Sequence, residues 1–140
     1  MKNSFWNNRK VFITGHTGFK GGWLTLWLKS LGAKICGYAL KPESKKSLYY
    51  EAEVSKGIDS HFNNILNYKV LSKKISQFSP EVVFHLAAQP LVKKSYKCPQ
   101  ETFSTNISGT INLLESLRHS KTVKSIVVVT TDKVYKNKEW

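Results

Sequence analysis

Three glycines recur at a spacing of three, Gly15, Gly18 and Gly21, within TGHTGFKGG at residues 14–22, directly behind the apolar run Val11, Phe12 and Ile13. A turn leading from a strand into a helix holds a phosphate only if backbone N–H groups come close to the anion, and a Cβ at the approach points blocks that contact. The helix that follows offers its unpaired N–H groups and the positive end of its dipole. On this reading Gly15 makes the turn, Gly18 permits close approach, and Gly21 lets the helix pack against the sheet. A purely structural turn has the same composition; the strand before and the amphipathic helix after favour the cradle. A Walker loop is excluded, because Lys20 is followed by Gly21 and Gly22 rather than by Ser or Thr.

A second group, Thr131, Asp132 and Lys133, stands where the apolar run SIVVVTT at residues 125–131 ends. Ligands of open α/β sheets bind at the carboxyl ends of the strands, so the position suits catalysis. The alternative is an ion pair between Asp132 and Lys133 in a surface turn.

The elements that must hold these groups alternate. Residues 10–14 read as a strand and 19–31 as a helix, with Leu24, Trp27, Leu28 and Leu31 on one face and Gly32 ending it. Residues 34–40 read as a second strand and 62–66 as a short third; 68–78 read as a helix that stops before Pro80. EVVFHLAA at 81–88 and the run at 125–131 are continuous apolar segments, as expected of strands buried on both faces of a parallel sheet. Between them Phe103, Ile107, Ile111, Leu114 and Leu117 form one stripe on a long helix. This pattern predicts an α/β fold, a doubly wound parallel sheet of the Rossmann-like dinucleotide-binding kind, with right-handed crossovers and five visible strands, incomplete at the C-terminus. Trp6, Trp23 and Trp27 read as core. His85 reads as a core histidine with a backbone partner, and Asn106, a poor mid-helix residue, suggests a specific tie.

The 140 residues carry 22 Lys+Arg against 9 Asp+Glu, a formal net charge of +13. The basic residues are dispersed pairs such as Lys45-Lys46, Lys73-Lys74 and Lys93-Lys94, with no nucleic-acid-binding motif around them, so a nucleic-acid partner is not expected. No stretch reaches the roughly 18 apolar residues of a membrane span, and the first ten residues lack the core of a signal peptide. A cytoplasmic protein with no membrane partner is the expectation. Cys36 and Cys98 have no metal-ligand spacing and read as reduced thiols, with no metal site expected.

The spacing Gly-x-x-Gly-x-x-Gly resembles the extended short-chain dehydrogenase/reductase superfamily, in its epimerase/dehydratase family. HLAAQ at 85–89 resembles that superfamily's fourth-strand segment, TFSTNISGTINLLES at 102–116 its Asn-x-x-Gly-Thr helix, and VTTDKVY at 129–135 its catalytic strand end. GHTGFKG, HLAAQPLVKKSY and TTDKVYKNKEW most resemble the branch of CDP-glucose 4,6-dehydratases. That resemblance implies a lyase using NAD without net consumption: oxidation at C4 of the sugar, loss of water across C5 and C6, and reduction at C6. The product is a 4-keto-6-deoxy sugar nucleotide for O-antigen-type polysaccharide.

By the same resemblance Asp132 is the acid for the departing hydroxyl, Lys133 occupies the C5-proton position, and Thr131 bonds the 4-hydroxyl. A lysine base must lose its proton near neutral pH, so its pKa must fall from roughly 10.4, and Asp132 beside it pushes the other way. The cofactor side comprises Gly15, Thr17, Gly18, Phe19, Lys20, Gly21, Leu86, Ala87, Ala88, Gln89 and Asn106, with Asn64 and Ile65 at the adenine. Ser95 and Tyr96 fall on the sugar-nucleotide side. Full-length members are expected to be homo-oligomers.

The pattern departs from the family in three places. The end of the second strand, GYALKPES, has Lys41 as its first charge where an NAD site usually has an acid, so NADP stays open. Asn64 stands where an aspartate is usual, which predicts weaker adenine binding for want of charge assistance. Tyr135 is followed four residues later by Glu139, so the superfamily's Tyr-x-x-x-Lys pair is absent and the chain reads as the N-terminal part of a longer enzyme, inactive alone. Another sugar-nucleotide epimerase or reductase, or an inactive dinucleotide-binding module, are the alternatives.

Overall fold

The computed structural model describes residues 5–131 together with 135, 136, 138 and 139. Strand β1 (Lys10–Thr14) runs into helix α1 (Phe19–Ser30), followed by β2 (Lys34–Ala39), the short α2 (Leu48–Glu51), β3 (Asp59–Phe62), α3 (Tyr68–Phe78) and β4 (Val82–His85). Then come α4 (Val92–Lys97), α5 (Pro99–Phe103), a π-helical turn (Ser104–Ser108), α6 (Gly109–Leu117) and β5 (Ser125–Val128). The five strands pair in parallel in the order β3-β2-β1-β4-β5. This is the expected α/β sheet, with neighbouring strands reached by helical crossovers.

Alternation along each central strand divides the core in two. Val11, Ile13, Ile35 and Val82 point to one face and pack with Leu28 of α1, while Phe12, Cys36, Tyr38 and Val83 point to the other and pack with Leu71 and Ile75 of α3 and Leu113 and Leu117 of α6. A strand buried on both faces needs apolar residues at consecutive positions, hence the unbroken VFI and VV runs. At the amino end of the sheet Glu81 gathers Arg9 at 3.4 Å, Lys124 at 3.5 Å and the Lys10 backbone N–H at 3.2 Å.

The structure corrects several expectations. Helix α1 buries Gly21, Gly22, Thr25 and Leu28: Gly21 meets the turn before the helix, Gly22 meets Leu48 of α2, and Leu28 packs on the sheet, while Trp23 and Trp27 are turned outward, 56% and 64% exposed. Trp6 is half-buried against Phe84, with ring centroids 6.1 Å apart. The third strand is the polar DSHF, ahead of the predicted 62–66, because a strand paired on one side only needs no apolar run, and Ile65 behind it drops into the core.

On α6 the buried positions are Gly109, Leu113 and Leu117. Gly109 sets that face: a Cβ there would lie 2.6 Å from Ile65. Phe103, Ile107, Ile111 and Leu114 therefore face away from the core and are exposed. Strand β5 is not buried on both faces; as the outer strand it pairs only with β4, and Ile126 to Val129 are each roughly two-fifths exposed. Among the described residues, no helix is long and apolar enough to cross a membrane.

Candidate functional site

The glycine turn opens at the carboxyl end of β1. Gly15 has φ +78°, a left-handed conformation that favours glycine, and its N–H donates to the Tyr38 carbonyl at 2.9 Å. A Cβ on Gly15 would lie 2.8 Å from the Ala87 nitrogen, so the turn sits directly on the chain leaving β4. A Cβ on Gly21 would lie 2.1 Å from the Gly15 carbonyl oxygen: Gly21 packs the helix onto the turn itself rather than onto the sheet. A Cβ on Gly18 would meet only the Gly15 carbonyl oxygen, at 3.4 Å, an ordinary contact, so of the three glycines this is the one whose place the protein itself does not close off. Gly18 is the N-cap of α1, no side chain caps that end, and its first turn holds no acidic residue. The first-turn N–H groups of Phe19, Lys20 and Gly21 are thus left by helix geometry for an anion.

The residues between the glycines are fastened from below. Thr17 donates its hydroxyl to the Leu40 carbonyl at 2.9 Å, tying the turn to the end of β2. His16 is fully buried, with Nε2 2.7 Å from Ser60 Oγ, itself 2.7 Å from the Tyr49 hydroxyl. Its ring lies in a notch that Gly37 leaves open, since a Cβ there would stand 2.5 Å from the imidazole. Burial, reinforced by His61, lowers the His16 pKa to about 4, so the ring is neutral at physiological pH. Sequence reading did not find this role, although a glycine mid-strand in β2 is a signal of close approach.

Beside the turn, Thr14 is fully buried and its Oγ1 accepts from the N–H groups of Leu86 and Ala87, each at 3.1 Å. Its own proton therefore goes to His85 Nδ1 at 2.6 Å, which makes His85 a neutral ring with hydrogen on Nε2, assigned from the network. That Nε2 donates to Thr110 Oγ1 at 2.9 Å, and Thr110 donates to the Asn106 carbonyl at 2.7 Å. Burial lowers the His85 pKa, in keeping with a neutral ring. His85 is a core histidine as expected, but its partners are two threonine hydroxyls, not backbone.

Asn106 lies in the π-helical turn, and its side-chain amide pairs with the backbone of Gln89: the Gln89 N–H donates to Oδ1 at 2.8 Å and Nδ2 donates to the Gln89 carbonyl at 3.2 Å. An extra residue in a helical turn re-aims a side chain, which is how a helix comes to hold a neighbouring loop. Gln89 is buried and internally bonded, accepting from the Leu91 N–H at 2.8 Å and donating to Thr102 at 2.8 Å. Its side chain is a strut; the backbone of Leu86 to Ala88 forms the wall opposite the turn.

Asn64 follows β3, and its Oδ1 accepts from the Leu66 N–H at 2.9 Å, while Ile65 is buried in the core. The Asn63 N–H donates to the Ala39 carbonyl at 2.8 Å, so this loop lies at the same carboxyl edge as the glycine turn. Phe19 and Lys20 are exposed on the first turn of α1. Tyr96 is exposed and Ser95 donates to the Val92 carbonyl at 2.7 Å. Thr131 is exposed beyond β5; Asp132 and Lys133 lie outside the described residues.

Comparison with known proteins agrees with this geometry. Over its full length the chain is 47% identical to CDP-glucose 4,6-dehydratase of Salmonella typhimurium, of which it covers 39%. The chain thus spans about two-fifths of that curated relative's length. Among solved structures, UDP-glucose-4-epimerase from Stenotrophomonas maltophila, with bound NAD and formylated UDP-arabinopyranose, superposes with a TM-score of 0.81 at 23% identity, covering 95% of this chain and 40% of that one. UDP-glucose 4-epimerase from Thermotoga maritima, with UDP-glucose, gives 0.78 at 26% identity over 87% of this chain and 38% of its own. The sequence profile of the GDP-mannose 4,6 dehydratase family matches residues 12–139, from β1 past the end of β5, and a match of that extent shows that the chain belongs to this family.

Proposed function

We propose that the chain is the dinucleotide-binding part of an NAD-dependent sugar-nucleotide 4,6-dehydratase whose substrate is CDP-glucose. The observation that carries the reading is the 47% identity along the entire chain to a CDP-glucose 4,6-dehydratase. The residues present fit a dinucleotide: a Cβ at Gly18 would make only an ordinary 3.4 Å contact with the Gly15 carbonyl, so the protein itself does not require glycine there, and an uncapped helix end with no acid in its first turn stands beside it. When bound, NAD supplies a hydride acceptor that is regenerated within one turnover.

The chain's own residues have separable tasks in this proposal. Gly15, Gly18 and Gly21 keep the turn free of side chains, and the N–H groups of Phe19, Lys20 and Gly21 bind the pyrophosphate. Asn64 meets the adenine, with Ile65 anchoring its loop. Leu86, Ala87 and Ala88 line the dinucleotide, while Gln89 and Asn106 hold that wall in place. Thr131 positions the 4-hydroxyl, Asp132 gives a proton to the departing hydroxyl, and Lys133 serves at the C5 proton. The product, a 4-keto-6-deoxy sugar nucleotide, is a precursor for O-antigen-type polysaccharide, made in the cytoplasm. A second copy of the protein is the proposed partner of the exposed stripe Phe103, Ile107, Ile111 and Leu114, since an apolar stripe of this kind marks an interface.

The test has two arms. NAD and NADP are titrated into the purified chain, and CDP-glucose is assayed for a 4-keto product with the chain and with a protein extended to the length of its relatives. Binding of NAD by the chain and product only from the longer protein are expected, because these 140 residues contain no Tyr-x-x-x-Lys pair. Absence of dinucleotide binding would overturn the cradle, and turnover by the 140-residue chain would overturn the division of labour.

A further inference from the structure

Away from the glycine turn, β2 and β3 bring one side chain of the first strand together with two of the second. Cys36 lies opposite Asp59 in the register of the two strands, and Tyr38 lies opposite His61. Residues two apart on a strand share a face, so Asp59 and His61 both stand over the face that carries the Cys36 sulfur. One ligand atom from each of Cys36, Asp59 and His61 falls within 4.8 Å of the other two. We propose that Cys36, Asp59 and His61 form a three-donor site for a thiophilic divalent cation, zinc above all, at the outer edge of the sheet.

The donor set selects the ion. A thiolate and an imidazole suit zinc, and a carboxylate completes the three protein ligands that leave a fourth position to water. With metal–ligand bonds of about 2.0–2.3 Å, a tetrahedral centre holds its donors roughly 3.3–3.6 Å apart. His61 Nε2 and Asp59 Oδ1 stand 2.5 Å apart, so closing the site needs only small side-chain movements of exposed groups. Cys36 is buried and fixes one corner, whereas Asp59 and His61 reach solvent and leave an entry path.

Two features weaken the site and make it testable. Burial, with Asp59 beside it, pushes the Cys36 thiol up to about 12, so the cation must displace a proton that leaves to solvent. Lys74 of α3 holds Asp59 Oδ2 at 2.8 Å and places a positive charge beside the incoming cation. The site lies at the start of β3, whereas the glycine turn lies at the carboxyl ends of the strands, so its occupation does not require the dinucleotide.

The experiment titrates Co²⁺ into the chain and reads the near-ultraviolet thiolate-to-cobalt band, then measures Zn²⁺ by competition against a chromogenic chelator. One equivalent with a thiolate band is expected, unchanged in Cys98→Ser and absent in Cys36→Ser. Because Cys36 is buried, Asp59→Asn and His61→Gln at exposed positions keep the test independent of folding; each weakens Zn²⁺ binding by at least about tenfold. Lys74→Gln tightens it several-fold. A spectrum without the thiolate band, a band that survives Cys36→Ser, affinity indifferent to His61→Gln, or binding not strengthened by Lys74→Gln would each overturn the proposal.

Discussion

Replacing Thr14 by valine keeps the shape of the side chain and removes one oxygen that serves three partners. Leu86 N–H retains the Thr14 carbonyl at 3.1 Å, but Ala87 N–H has only Thr14 Oγ1, and His85 Nδ1 loses its donor. Each of the two polar groups left unpaired costs roughly 1–3 kcal/mol, so the substitution is predicted to cost about 2–6 kcal/mol. Against a total stability on the order of 5–15 kcal/mol that is a large loss. With a urea slope of about 2 kcal/mol/M, the middle of the range for small proteins, the unfolding midpoint should fall by roughly 1–3 M while the slope holds. Thr14→Ser, which keeps the oxygen, should retain most of the stability. Because Ala87 also packs on Gly15, the variant should bind dinucleotide more weakly even where it is folded. A Thr14→Val midpoint within about 0.3 M of the parent, at unchanged slope, would refute the assignment of Thr14 as the clamp between β1 and β4.

Three further outcomes follow from the same geometry. Gly18→Ala, whose Cβ makes only an ordinary 3.4 Å contact with the Gly15 carbonyl, should leave the melting temperature within a few degrees of the parent and weaken dinucleotide binding at least about tenfold, whereas Gly21→Ala, driven into the Gly15 carbonyl, should lower both. His16 has a folded pKa depressed from 6.5 to about 4, so its neutral form stabilises the fold at and above the unfolded value, and stability falls as pH drops from 6.5 toward 4, by roughly 3 kcal/mol. Urea unfolding at pH 7 and pH 4.5 checks this, and His16→Gln should flatten the difference. Ile111→Lys on the exposed stripe should shift a protein of full family length toward smaller species in sedimentation while leaving its helical content unchanged.

Much of this architecture is legible in one dimension because each strand and helix carries its period openly. The strands β1, β2 and β4 announce themselves as apolar runs, α3 falls at residues 68–78 as read, and Gly15, Gly18 and Gly21 lie where a strand-to-helix turn needs them. What remained hidden is which face of an element turns inward. Small residues decided that for α1 and α6: Gly21 and Gly109 allow approach distances that no larger residue permits, so the aromatic and aliphatic stripes that look like core are turned outward. The polar strand β3 carries no apolar signal in the sequence, because an edge strand has no second neighbour to demand an apolar face. The clamp of Thr14, His85 and Thr110, the notch that seats His16 under Gly37, and the meeting of Cys36 with Asp59 and His61 all join residues on different strands and helices. Local sequence specifies the chemistry of each such group, but strand order and register bring the groups within bonding distance, and those are properties of the assembled sheet alone.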